Sequence, residues 1–353
     1  MQTTIIPMTS KQRVYRALSH SRPDRVPRYI WLGNGLIRKL TAKYNCTPLE
    51  LDIRIGNDVL QTWVSFNGEM ARDVPDNNQF TDDFGITWRR EGFYNIVVKH
   101  PLAGADTKTI MDYQLPNPLS PKRYETLNSL LSGYGDTHFI GADVSGTLFE
   151  PACYLRGMEN VMLDLAEGSE ETTALLDKLE AFGAAAAVEC VRLGADWIWL
   201  GDDIGAQGGM MVSPDLWRAA IKPRLGRIIE AVRAQRPGAY IAYHSCGSMY
   251  QIIGDLAEIG VNVLNPIQES AAGMSQQTIK EQFGDRLTLM CGIDTQTFLP
   301  FRTPWEVTAE TLRLCGALGS DGGFIFAVSH AVQHDTPMEN IDAMISALWE
   351  NNS

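Results

Sequence analysis

The chain has 353 residues, 44% of them hydrophobic, enough for a sizeable core. Its net charge of −12, with no basic cluster, excludes a nucleic-acid-binding surface. The six cysteines lack the pairing rhythm of a secreted scaffold, no apolar run is long enough for a membrane helix, and MQTTIIPMTSKQRVYRAL lacks an apolar signal core, so a reduced, cytoplasmic protein is expected.

Residues 10–18 (SKQRVYRAL) read as a short helix capped by Ser10, followed by the turn-rich SRPDRVP. PRYIWLG looks like a first strand that stops at Gly33 and Asn34. Between about residues 35 and 135 the signals mix. Helical patches alternate with DFGITWRREGFYNIVVKHPL, which reads as a β-hairpin region, and LPNPLSPKRY reads as a loop. We expect this stretch to be a cap or decoration on a single domain spanning 1–353.

A regular alternation follows. THFIGADV precedes a helix around MENVMLDLAE, and ADWIWLGDD precedes a helix that starts near Pro214. AYIAYHSCG, VNVLNPIQ, LTLMCGID and GFIFAVSH each lead into a further helical segment. Buried strands alternating with helices at this spacing imply parallel βαβ units. Counting PRYIWLG, seven strands can be placed, and VSGTLFEP or the hairpin region could supply an eighth. The expected fold is a (β/α)8 TIM barrel with N-terminal decorations. A doubly wound open sheet is the rival, disfavoured because no glycine-rich phosphate fingerprint follows the first strand.

Barrel enzymes carry their reactive residues at the C-terminal ends of the strands. Those ends here hold Asp143, Asp202 and Asp203, His244 and Cys246, Asn265 and Gln268, Cys291 and Asp294, and Ser329 with His330. In a strand, residues two apart face the same side, so His244 and Cys246 aim an imidazole and a thiol at one point. That pair suits zinc; the competing reading is a packed cysteine beside a hydrogen-bonded histidine. A third ligand is required, with His330, Cys291, Glu150 and the Asp202/Asp203 pair as candidates. The two aspartates themselves read either as a helix cap or as substrate-binding and proton-transferring groups. Trp197 and Trp199 are expected to pack in or around the barrel wall, and Trp31 to do so or to line the mouth.

YHSCGSMYQIIGDLAEIGVNVLNPIQESAAGM, LMCGIDTQTFLPFRTPWEV and GGFIFAVSHAVQHDTPMENIDAM resemble the C-terminal half of the uroporphyrinogen decarboxylase superfamily. SKQRVYRALSHSRPDRVP, LRGMENVMLDL and GDDIGAQGGMMVSPDLWRAAIKPRL are similar to earlier parts of it. True porphyrinogen decarboxylases place an arginine-rich loop after the first strand, whereas RVPRYIWLGNG has no arginine after Trp31. A substrate with many carboxylates needs such clamps. The chain therefore looks more like the branch of cobamide-dependent methyltransferases, which exchange methyl groups between a corrinoid protein and a small substrate.

The resemblance implies zinc held by His244, Cys246 and a third residue aligned with His330, where that branch has a cysteine. It also implies a corrinoid carried by a partner protein, a possible homodimer, and a small methyl donor or acceptor (methyl ether, amine, thiol or pterin). Asp202 and Asp203 would act in catalysis, and Asn265, Gln268, Asp294, Asp143 and Trp31 in substrate binding. The alternative function is a metal-free, uroporphyrinogen decarboxylase-like carboxy-lyase, with Arg28, Arg156 or Lys222 supplying positive charge at the mouth.

Overall fold

The computed structural model describes residues 8–65, 74–75, 77–92 and 94–350. Its strands in chain order are β1 (Arg28–Tyr29), β2 (Val59–Trp63), β3 (Gln79–Thr81), β4 (Thr87–Glu91), β5 (Tyr94–Lys99), β6 (Phe139–Asp143), β7 (Trp197–Gly201), β8 (Gly205–Ala206), β9 (Gly209–Met210), β10 (Tyr240–His244), β11 (Val263–Asn265), β12 (Thr288–Ile293) and β13 (Phe324–Val328). Eight parallel strands, in the order β1-β13-β12-β11-β10-β7-β6-β2, form a nearly closed barrel with surrounding helices. Strands β6, β7, β12 and β13 are buried along their whole length, as expected of parallel strands covered on both faces.

The seven anticipated strands are all present. The eighth is β2, from DVLQTWV, and neither of the segments proposed for it. VSGTLFEP instead runs into the helix Phe149–Arg156, and the hairpin region forms a separate antiparallel sheet, β3-β4-β5. Two smaller corrections concern helix ends. Thr9, not Ser10, caps the first helix, its hydroxyl accepting from the Gln12 amide. The helix expected from Pro214 is two, Pro214–Ala220 and Lys222–Gln235, with Pro223 in the first turn of the second, where its missing N–H costs nothing.

The chain packs as two compact units. One comprises residues 1–60, 130–140 and 262–353. In it β1 is short, but pairing resumes beyond it: Leu32 bridges Val332, and the Val332 amide donates to the Trp31 carbonyl. Asn57 and Asp58, just before β2, fasten to β1. The Asp58 amide donates to the Arg28 carbonyl, and the Asn57 side chain accepts from Ile30 N–H and donates to its carbonyl. The fully buried Asp58 carboxylate takes Arg13 and Arg25 as partners at 2.7 Å.

The other unit comprises residues 61–129 and 141–261. Here β6, β7 and β10 are in register, with Gly141 opposite Trp197, Asp143 opposite Trp199, and His244 opposite Gly201. The long helix Glu170–Leu193 carries the four-alanine run, which lets it pack closely; it ends at Gly194 in the left-handed conformation. None of the described helices is long and apolar enough to cross a membrane.

Candidate metal centre

The segments GDDIGA after β7 and HSCGS at the end of β10 are joined by their own backbones. Asp202 N–H donates to the His244 carbonyl at 3.1 Å, and Ser248 N–H to the Ala206 carbonyl at 2.9 Å. Ile204 N–H donates to Ser245 Oγ at 3.1 Å, and Cys246 N–H to Asp203 Oδ1 at 2.7 Å. Such an approach requires glycine at 201, where a Cβ would lie 2.3 Å from the His244 carbonyl oxygen. The Gly-Asp-Asp motif is thus the seat on which the His-x-Cys motif rests.

On that seat, Cys246 Sγ lies 3.5 Å from His244 Nε2. Ligand atoms of His244, Cys246 and His330 all fall within 4.8 Å of one another, and each residue is partly buried. The set suits zinc by its chemistry, two imidazoles and a thiol, and the His244–Cys246 pair suits it by its spacing. Across a tetrahedral ion with Zn–N near 2.05 Å and Zn–S near 2.3 Å, the two ligand atoms stand about 3.6 Å apart. Burial, with the Asp203 carboxylate next in importance, pushes the Cys246 thiol well above its usual pKa. A cation bound there would supply what this environment withholds, stabilisation of the thiolate.

The two aspartates divide their work. Asp203 is the more open, its side chain 40% exposed, and its Oδ1 lies 3.6 Å from His244 Nε2. Asp202 is 1% exposed and accepts from the amides of Leu148 and Glu150 at 3.0–3.1 Å, so it caps the helix Phe149–Arg156 from a distance in sequence. Burial raises its pKa to about 7. That cap places Glu150, which accepts from Tyr154 Oη at 2.9 Å. Burial, then the charges of Asp203 and Asp202, hold Glu150 well above the usual carboxylate range, and burial together with Glu150 does the same to Tyr154.

The other strand-end residues are distributed less favourably. Asp143 is raised to about 6 by burial, while Ser145 and Gln61 donate to it. Asn265 donates to the Met290 carbonyl, and Gln268 is buried, its main-chain carbonyl accepting from the Ala271 amide. One oxygen of Asp294 gathers the amides of Gln296, Thr297 and Phe298, the pattern of a turn cap. Cys291 lies within β12, fully buried, and burial raises its pKa; Ser329 bonds to Thr295. Trp31 packs on His330 with ring centroids 4.9 Å apart.

Sequence reasoning missed Gln61, which joins Asp143 to the Trp197 indole (Nε1 to Oε1, 2.8 Å), because β2 carried no clear strand signal. The three cations considered for the mouth have other duties. Arg28 begins β1, fully buried, with the Trp349 ring 3.9 Å away. Arg156 pairs with Asp164, and Lys222 with Asp255 and Glu258.

Fold and strand-end chemistry together define a (β/α)8 barrel with a histidine–cysteine–histidine cluster able to hold a metal ion. The chain belongs to the uroporphyrinogen decarboxylase family: residues 84–350 match the family described as Uroporphyrinogen decarboxylase (URO-D). Uroporphyrinogen decarboxylases from three strains of Coxiella burnetii (Dugway 5J108-111, RSA 331 / Henzerling II and RSA 493 / Nine Mile phase I) are each 23% identical to it over 177 residues. Those matches cover 49% of this chain, which thus spans just under half (46%) of the length of the curated relatives. A solved methyltransferase from Methanosarcina mazei is 20% identical and has a TM-score of 0.73, covering 98% of this chain and 100% of that one, a likeness of fold.

Proposed function

We propose that this protein is a zinc-dependent methyltransferase that moves a methyl group between a small substrate and a corrinoid carried by a partner protein. The observation that supports it best is the convergence of His244, Cys246 and His330, with a 3.5 Å Sγ–Nε2 spacing suited to a tetrahedral ion. Zinc held there would supply Lewis acidity to the heteroatom that carries or receives the methyl group.

The chain's own residues do the rest. His244 and Cys246 present their donor atoms from one strand end, and Asp203 fixes the second by accepting its amide hydrogen. The half-exposed Asp203 carboxylate keeps an oxygen with which to orient the substrate or take its proton. Asp202 acts through the helix it caps, which carries Glu150 and Tyr154. Trp31, Asp143 and Gln268 stand as candidate substrate contacts, whereas the Asn265 amide donates to the Met290 carbonyl of β12 and one oxygen of Asp294 caps its own turn.

The second reading is a metal-free carboxy-lyase, favoured by the family and by the names of the curated relatives. Of the three cations considered for gripping carboxylates, Arg156 and Lys222 are held in ion pairs, and Arg28 is fully buried against the Trp349 ring. Elemental analysis of wild type beside Cys246→Ala, with assays of methyl transfer to and from free cobalamin, separates the two. Near one zinc per chain, lost in the variant along with methyl transfer, is expected. Absence of metal from both proteins, with decarboxylation intact, would overturn the proposal.

A further inference from the structure

Beneath His244 stands a column of aromatic rings. Trp197, Trp199 and Gly201 alternate along β7 and therefore share a face, and in register with them on β10 are Tyr240, Ala242 and His244. The rings of Trp197 and Trp199 have centroids 5.6 Å apart, and those of Trp199 and His244 5.9 Å apart at an interplanar angle of 30°. At the base, Trp197 donates to Gln61, which donates in turn to Asp143. The indole of Trp197 crosses β6 where only glycine leaves room: a Cβ on Gly141 would lie 2.3 Å from its Nε1. Trp199 is 4% exposed and Trp197 wholly buried, so neither ring has freedom to swing.

The column meets a need. Rotation about χ2 of a histidine is broad, and backbone position alone does not set the plane of the imidazole. A ligand histidine must nevertheless direct one nitrogen at the ion within a narrow angle, and the groups around it usually impose that angle.

We propose that Trp199 is a positioning residue for His244, its indole braced by Trp197 and Gln61 and holding the imidazole plane so that Nε2 faces Cys246 Sγ. The inference rests on the metal reading of the site. Stacking on a rigid ring fixes the plane without occupying either imidazole nitrogen. Trp31 stands in a similar relation to His330, with centroids 4.9 Å apart at 40°.

The test measures zinc affinity by chelator competition and the visible spectrum of the cobalt(II)-loaded protein, which reports ligand geometry. Trp199→Phe keeps an aromatic face and should bind zinc within about threefold of wild type. Trp199→Leu keeps apolar bulk without the face; it should bind roughly 10- to 100-fold more weakly and show an altered cobalt spectrum. Circular dichroism establishes that each variant is folded. Should Trp199→Leu fail to fold, Gln61→Leu, which removes the brace at the base, takes its place and should alter the cobalt spectrum. A folded Trp199→Leu, or failing it Gln61→Leu, with wild-type affinity and spectrum would overturn the inference while leaving the metal site intact. A wild-type protein that binds neither ion would instead overturn the metal reading, and this inference with it.

Discussion

The close approach of β7 and β10 makes Gly201→Ala an informative perturbation. An alanine Cβ there would sit 2.3 Å from the His244 carbonyl oxygen and 2.9 Å from His244 N and Cβ. The first of these is about 1 Å short of ordinary van der Waals contact. No flexible side chain can yield, because that carbonyl accepts the Asp202 amide and His244 pairs in register with Gly201. Relief must come from moving the strand end that carries His244 and Cys246. Overpacking of this kind costs about 1–3 kcal/mol, and a shift of a few tenths of an ångström is enough to spoil tetrahedral ligation. Gly208→Ala is the matched control in the same segment: nothing lies within 4 Å of its Cβ, so its stability should stay within about 0.5 kcal/mol of wild type. Urea denaturation and zinc titration of the three proteins measure both effects. If Gly201→Ala unfolds and binds zinc like the control, the two strand ends are not as close as described, and the account of the seat fails.

Other outcomes follow from the buried charges. Folding raises the Asp202 pKa from 3.8 to about 7, so the native state binds this proton more tightly than the unfolded chain. Stability from this group is therefore lost as pH rises from about 4 through 7, at up to ~1.4 kcal/mol per pH unit. Asp202→Asn should flatten that slope in denaturation curves taken between about pH 5 and 7, and an unchanged slope would contradict the assignment. In the β1 region the two signs of charge should behave unequally. Asp58→Asn leaves Arg13 and Arg25 without their shared carboxylate and should cost about 3–5 kcal/mol in urea unfolding. Arg28→Met removes a guanidinium whose two terminal nitrogens have no acceptor, and its unfolding free energy should lie within about 1 kcal/mol of wild type. Equal losses in the two variants would refute this asymmetry.

Signals carried by a few adjacent residues could be read from the sequence, and signals created by pairing between strands distant in the chain could not. Strand and helix alternation after residue 136 is local, and so is the two-residue spacing that sets His244 and Cys246 on one side of β10. The eighth strand was hidden because β2 is partly exposed at Gln61, Thr62 and Trp63, and has none of the continuous apolar character of β6 or β12. The Gly-Asp-Asp motif was visible, but its division of labour was not. Asp202 caps a helix that begins 53 residues earlier in the chain, at Phe149, and Asp203 holds an amide 43 residues later. Only the parallel register of β6, β7 and β10 brings those partners together.

The same register changes the meaning of the tryptophans. As sequence, W-I-W is a buried strand and nothing more, which is why wall packing was expected for both rings. In the structure the alternation that buries Ile198 and Leu200 on one face puts Trp197 and Trp199 on the other, in line with His244. A core residue and a residue that aims a ligand are then the same residue. Stability measurements alone would not tell the two roles apart, since either loses packing when the ring is cut back. The cobalt spectrum can, because it responds to the angle of the imidazole and not to the volume filled beneath it.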